Sequence, residues 1–331
     1  VNADVSEANA KRRKFRQLLN GDDIVVMPGG FSPLLARTAE LAGFESYFLA
    51  GSQLSAFLYG YPDTGIVGLR DVVDHARHIA ARTTIPIMID FDTGFGNAVN
   101  VWYSVQEAVR SNVAALQIED QEAPKKSGTT SGRRCIPRVE AVGKYRAAVA
   151  ARDEIDPDFV VVGRCDALGA EGETFQDALD RCVAYAEEGG VDMVWLNSVQ
   201  NRSDLERACA RIPVPVATIW GGASPAPTPE ELQSLGVRVA LYPTIAATVG
   251  MDSAWFLLHD FRHRGQPALD EWVARMADSP YGTASFMQLT NTERVRELEQ
   301  RFVPAERQRD YQSTWGHAQT LGGKQPTNAE G

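Results

Sequence analysis

The chain has 331 residues, room for two average domains or for one large α/β barrel. Hydrophobic residues make up 44% and charged residues 23%, a globular balance that supports a sizeable core. A net charge of −10, from 43 acidic and 33 basic residues, argues against a nucleic-acid or anionic-membrane partner.

The opening stretch, VNADVSEANAKRRKFRQLLN, lacks the apolar run of a secretory leader. Short β-branched runs then alternate with helical patterns. Strands are predicted at 23–29 (DIVVMPG), 45–51 (ESYFLAG), 85–91 (IPIMIDF) and 113–120 (VAALQIED). Four more follow at 158–164, 191–197, 214–220 and 237–243. Several are apolar without alternation, as parallel strands covered on both faces should be. Helices are predicted at 32–43, 98–111, 173–189, 203–211 and 228–235. The last opens on Thr228-Pro229-Glu230-Glu231, an N-cap followed by proline and early carboxylates. Gly43, Gly189 and Gly236 end helices and lead into strands.

Eight such repeats, with no G-x-G-x-x-G after the first strand, predict an α/β fold of the (β/α)₈ TIM-barrel type rather than an open sheet. The barrel is assigned to residues 1–262 and a C-terminal helical extension to 263–331, with a helix near 291–302 and a frayed tail, GGKQPTNAEG. The most apolar long run, starting at Val239, contains Pro243 and Asp252 and reads as a strand, a turn and a core-facing helix, not a membrane span. Cys135, Cys165, Cys182 and Cys209 form neither a zinc pattern nor a disulfide framework, which suits a reduced, cytoplasmic protein.

In a TIM barrel the chemistry sits at the C-terminal ends of the strands. The third strand ends in MIDFDTGFGN, where Asp90 and Asp92, two apart, are expected to share a face. Glu119 ends the next strand. Three carboxylates in one mouth call for a cation, and all-oxygen ligation with few protein ligands suits Mg²⁺, or Mn²⁺. The fifth strand ends in Arg164 and Asp166, the sixth in Asn197, the seventh in Thr218 and Trp220. Between the fourth and fifth lies PKKSGTTSGRRCIPR (124–138), a basic loop suited to close over an anionic small-molecule substrate.

AGSQLSAFLYGYPDTGI, MIDFDTGFGN, LQIEDQEAPKKSG and VVGRCDA together resemble the isocitrate lyase/phosphoenolpyruvate mutase superfamily, over roughly residues 15–260. The resemblance implies a barrel enzyme, usually tetrameric, with its C-terminal helix exchanged between subunits, using Mg²⁺ and an enolate of a 2-oxo acid. Carried over by position, Asp92 is the more direct metal ligand, with Asp90 beside it and Glu119 behind. Asp63 matches the loop aspartate next to the metal's waters, and Lys125 the gating-loop lysine. Arg164 matches the arginine that grips the 2-oxo carboxylate, supported by backbone amides around Gly51 and Ser52. Gly128 and Asn197 complete the substrate-binding set.

The departures are specific. Carbon–carbon lyases of the family carry a cysteine and a histidine where this chain has Ser127 and Thr129, and a hydroxyl is a far weaker acid than a thiol. Ala50 replaces the usual strand-two serine, and Asn197 a glutamate. The phosphonomutase loop and histidine are also missing. The function expected is a lyase acting on a small 2-oxo or 2-hydroxy diacid. Decarboxylation or hydrolysis of an oxaloacetate-like acid, phosphonate chemistry, or a non-catalytic metabolite binder are the alternatives. Cys135, eight residues beyond Ser127, reads as a small core residue.

Overall fold

Eight parallel strands close into a barrel in chain order, β8 pairing back onto β1. They are β1 (Val25–Gly30), β2 (Tyr47–Leu49), β3 (Ile87–Asp90), β4 (Ala115–Glu119), β5 (Val160–Cys165), β6 (Met193–Val199), β7 (Val216–Trp220) and β8 (Val239–Tyr242). The computed structural model describes residues 2–276 and 289–311. The tail expected to fray, 322–331, lies outside them.

The helices are α1 (Asn2–Asn20), α2 (Pro33–Leu41), α3 (Gly51–Leu54, running on as one π turn), α4 (Leu69–Ala80), α5 (Ala98–Arg110) and α6 (Arg138–Asp153). Then come α7 (Phe175–Glu187), α8 (Arg202–Arg211), α9 (Pro229–Ser234), α10 (Ile245–Arg264), α11 (Gln266–Arg275) and α12 (Glu293–Phe302). The start read from sequence for α9 is present in full: Thr228 Oγ1 accepts from the Glu231 amide, and the Glu231 carboxylate accepts in return from the Thr228 amide.

Side chains alternate between two apolar layers along each strand, as strand geometry requires. Val160 and Val162 point into the lumen with Met88, Ala115, Met193, Trp195 and Ala217. Val161, Ile87, Ile89, Leu116, Val194 and Val216 point outward onto the helices. The same parity, continued to the strand ends, puts Asp90, Gln117, Glu119, Arg164, Asp166 and Asn197 on the lumen side of the mouth. Pairing fixes their heights: Asp90 lies opposite Gln117, and Glu119 opposite Arg164. At the other end α1, which is not among the helices predicted from sequence, closes the floor with Phe15 and Leu19 among the lumen residues.

Two compact units make up the chain, residues 1–249 and a second from 250 onward, so the division falls within α10. That helix does not face a core as expected. Only Ala247 of it is buried, while Trp255, Phe256 and Leu258 are exposed. Among the described residues no helix is long and apolar enough to cross a membrane.

Candidate active site

The mouth gathers charge of both signs in a space almost closed to solvent. β3 stops at Asp90, so Asp92 is not its strand neighbour; it turns into the left-handed region, φ 47°. The shared-face argument therefore gives way to a turn, in which the Asp92 amide donates to Asp90 Oδ1 at 3.2 Å and its carbonyl accepts from the Glu119 amide at 2.8 Å. Asp90 is held from two further sides, by the Gln117 side-chain amide and by the Gly51 N–H at 3.1 Å. Gly51 thus supports the carboxylate, and any side chain there would press on it, a Cβ meeting the Asp90 carboxyl at 3.0 Å. Ser52 follows in the first turn of α3.

Lys125 reaches into this pole from the loop after β4. Its ammonium is 2.5 Å from Asp63 and 2.7 Å from Asp92, with only 3% of the residue exposed. Burial works against its charge, but Glu119, Asp92, Asp90 and Asp63 outweigh that and push its pKa up. The carboxylates feel the reverse. Burial pushes Asp92 up to about 6, against the pull of Lys125, and holds fully buried Glu119 well above the usual range despite Arg164 and Lys125. Among the described residues Glu119 Oε1 has neither a hydrogen bond nor an ion pair, while Asp92 Oδ1 faces the Lys125 ammonium and Glu119 Oε2 the Arg164 guanidinium.

An orphaned Glu119 oxygen, in a mouth where Asp63, Asp90, Asp92 and Glu119 all act on the one Lys125 ammonium, is the chemistry a hard cation satisfies. Among the described residues no three His, Cys, Asp or Glu side chains gather closely enough to cage a metal unaided. The donor set therefore fits an ion that keeps several waters, the habit of Mg²⁺.

The opposite pole is cationic. Arg164 pairs with Asp166 at 3.0 Å and lies 3.1 Å from Glu119, its guanidinium 4.5 Å over the Trp195 ring. Asp166, missed as a site residue, shares the strand parity of Arg164, and that spacing could have revealed it. Its carboxylate also accepts from Gln121 at 3.0 Å and from Asn197, and Arg164 and Gln121 lower its pKa against the effect of burial.

The loop lies over both poles. Gln121 brackets Lys126, accepting from its amide at 2.8 Å and donating to its carbonyl at 2.9 Å. Ser127 is half-buried, its Oγ 3.4 Å from that of Thr129. The Gly128 carbonyl accepts from Asn197 Nδ2 and Ser198 Oγ, each at 3.0 Å, and from Arg133.

Three residues near the strand ends and the loop lie elsewhere. Asp120 points outward, accepting from Tyr185 and paired with Arg181, and Cys135 faces it with Sγ 3.7 Å from Oδ1. Burial and Asp120 push the Cys135 thiol up, so it is no acid for the lumen. Trp220 has the outward parity of Val216 and donates to the Ala223 carbonyl, leaving Trp195 as the aromatic wall of the mouth.

The family model of phosphoenolpyruvate phosphomutase matches residues 15–254. A 2,3-dimethylmalate lyase of Eubacterium barkeri is 33% identical over 295 residues, covering 88% of this chain and 97% of that one. The structure of oxaloacetate acetylhydrolase in complex with the inhibitor 3,3-difluorooxalacetate matches with a TM-score of 0.78 at 29% identity, covering 88% of this chain and 97% of that one. Phosphonopyruvate hydrolase in complex with oxalate and Mg²⁺ matches with a TM-score of 0.76 at 28% identity, covering 89% and 99%.

Proposed function

Because this chain belongs to the phosphoenolpyruvate phosphomutase family, and so to the isocitrate lyase/phosphoenolpyruvate mutase superfamily of enzymes, we propose that it cleaves or forms a carbon–carbon bond in a small 2-oxo or 2-hydroxy diacid through an enolate. The observation that carries this reading is the pairing of poles. The Lys125 ammonium, paired with Asp63 and Asp92, and the Arg164 guanidinium, paired with Glu119 and Asp166 and stacked on Trp195, meet in one buried mouth.

In this reading Arg164 grips the substrate carboxylate as a planar, charge-assisted donor, and Trp195 fixes the plane of its guanidinium. Gly51 and Ser52 border the same carboxylate. Asp90, Asp92 and Glu119 would hold Mg²⁺, or Mn²⁺, which when bound would supply positive charge against an oxyanion on the 2-oxo acid. Asp63 and Lys125 link the loop to that pole, so closing the loop excludes water as it delivers the ammonium. Ser127 and Gly128 then meet the substrate from above. A homotetramer with exchanged C-terminal helices belongs to the same proposal, supported by the exposed Trp255, Phe256 and Leu258 on α10. A cytoplasmic location suits the four free thiols.

Hydrolysis or decarboxylation of an oxaloacetate-like acid is the second reading, favoured by the hydroxyls of Ser127 and Thr129 where the lyases carry a thiol and an imidazole. An NMR screen separates them: 2-oxo and 2-hydroxy diacids and phosphonopyruvate are incubated with Mg²⁺, following pyruvate, acetate, CO₂ and deuterium exchange at C3. Turnover of one acid, abolished by EDTA, is expected. Silence across the whole panel with Mg²⁺ present overturns the proposal.

A further inference from the structure

Consecutive residues of a strand face opposite sides, yet Asn197 and Ser198 both donate to the same oxygen, the carbonyl of Gly128. The cause is local. Ser198 sits at φ 62°, and the pairing of β6 with β7 slips between Leu196 and Val199. A serine in the left-handed region is uncommon and is kept only where the surroundings compensate for it. Here the compensation is a hydroxyl turned toward the loop.

A third donor reaches the same oxygen from within the loop. Arg133, 5% exposed, bonds the Gly128 carbonyl through Nη1 and the Leu168 carbonyl through Nη2, which ties the loop after β4 to the loop after β5. Its peptide carbonyl also accepts from the Glu171 amide at 3.0 Å. Gly128 is the one residue type that fits beneath this convergence. A Cβ there would fall inside the Arg164 guanidinium and 2.7 Å from Asn197 Nδ2.

We infer that Ser198, Asn197 and Arg133 are positioning residues that latch the 124–134 loop shut, with the Gly128 carbonyl as the catch. The strained turn at Ser198 exists to bring a second β6 donor onto it. The importance of the latch for turnover rests on the function proposed above, but the latch itself is a property of the ligand-free chain.

Hydrogen–deuterium exchange of the full chain without substrate tests it. The loop amides to follow include Lys126, bonded to Gln121, and Thr130, bonded to the Ser127 carbonyl at 2.9 Å. Ser198→Ala and Arg133→Met are each expected to speed exchange in 124–134 about tenfold, the size of one lost hydrogen bond, with the β4 and β5 amides unchanged. Gly128→Ala should open the loop further, and Arg133→Lys should restore part of the protection lost in Arg133→Met. Ser198→Gly discriminates most sharply: it relieves the backbone, yet it should loosen the loop as much as Ser198→Ala. Unchanged loop exchange in Ser198→Ala and Arg133→Met overturns the latch, as does an increase spread evenly over the barrel. Because no substrate is present, these results stand or fall apart from the NMR screen.

Discussion

The two ends of the barrel treat buried charge in opposite ways. At the floor, α1 sends Arg12 under the strands, where it donates to the Val113 and Val109 carbonyls and pairs with Asp156 at 2.6 Å. Lys11 donates to the Ala80 carbonyl at 2.7 Å. Arg16 and Arg152 share Asp192, at 3.0 and 2.6 Å. At the mouth, among the described residues, Gln117, Glu119, Arg164 and Trp195 each keep a buried polar atom without a hydrogen-bond partner. Each such atom costs about 1–3 kcal/mol. The floor is therefore tied by long-range ion pairs, and the mouth gathers most of the unmet buried polar atoms among the described residues, the division of labour expected of this fold.

Substitution of one charge at each end puts that contrast at risk. Asp92→Ala should lower turnover about ten-thousandfold, ~5.5 kcal/mol of lost charge stabilisation, and abolish Mg²⁺ binding. Its melting temperature should move little, since the carboxylate is already penalised by burial. Unchanged Mg²⁺ binding by calorimetry would remove Asp92 from the site. Arg12→Met should do the reverse. It removes the ion pair with Asp156 and the donors to two carbonyls and should cost about 3 kcal/mol in urea unfolding, with the turnover of the folded fraction preserved. A loss below about 1 kcal/mol would show that the floor is not where stability is stored.

The contrast was half legible in the sequence. Strand parity alone carries Asp90, Glu119 and Arg164 to the lumen. For Asp92 parity is an incomplete reason: it lies beyond the strand, in a left-handed turn. Trp195 and Trp220 are alike in sequence, and only the register of β6 and β7 sends one inward and the other out. The floor was not legible. Lys11, Arg12 and Arg16 look like solvated residues because, Glu7 beside Lys11 apart, the partners named above lie 69 to 176 positions away, on segments that only barrel closure brings near. Ser198 carries no signal at all, since its conformation is set by the slip between strands.

The smallest expected effect concerns Ser127, which faces the mouth but carries none of its unmet charge. A serine hydroxyl is a far weaker acid than the thiol the lyases place there, and its Oγ has only the Thr129 hydroxyl beside it, at 3.4 Å. Its carbonyl accepts from both the amide and the hydroxyl of Thr130 at 2.9 Å, so the backbone keeps the turn whatever the side chain. Ser127 is expected to do no more than hydrogen-bond the substrate or a water, with any proton coming from elsewhere. Ser127→Ala should lower turnover about tenfold, the ~1.4 kcal/mol of one hydrogen bond. Removal of a true general acid costs on the order of a hundredfold to ten-thousandfold. A loss in that larger range, with loop exchange as slow as in the parent, would make Ser127 the proton donor and give the mouth a reactive group that its charges do not reveal.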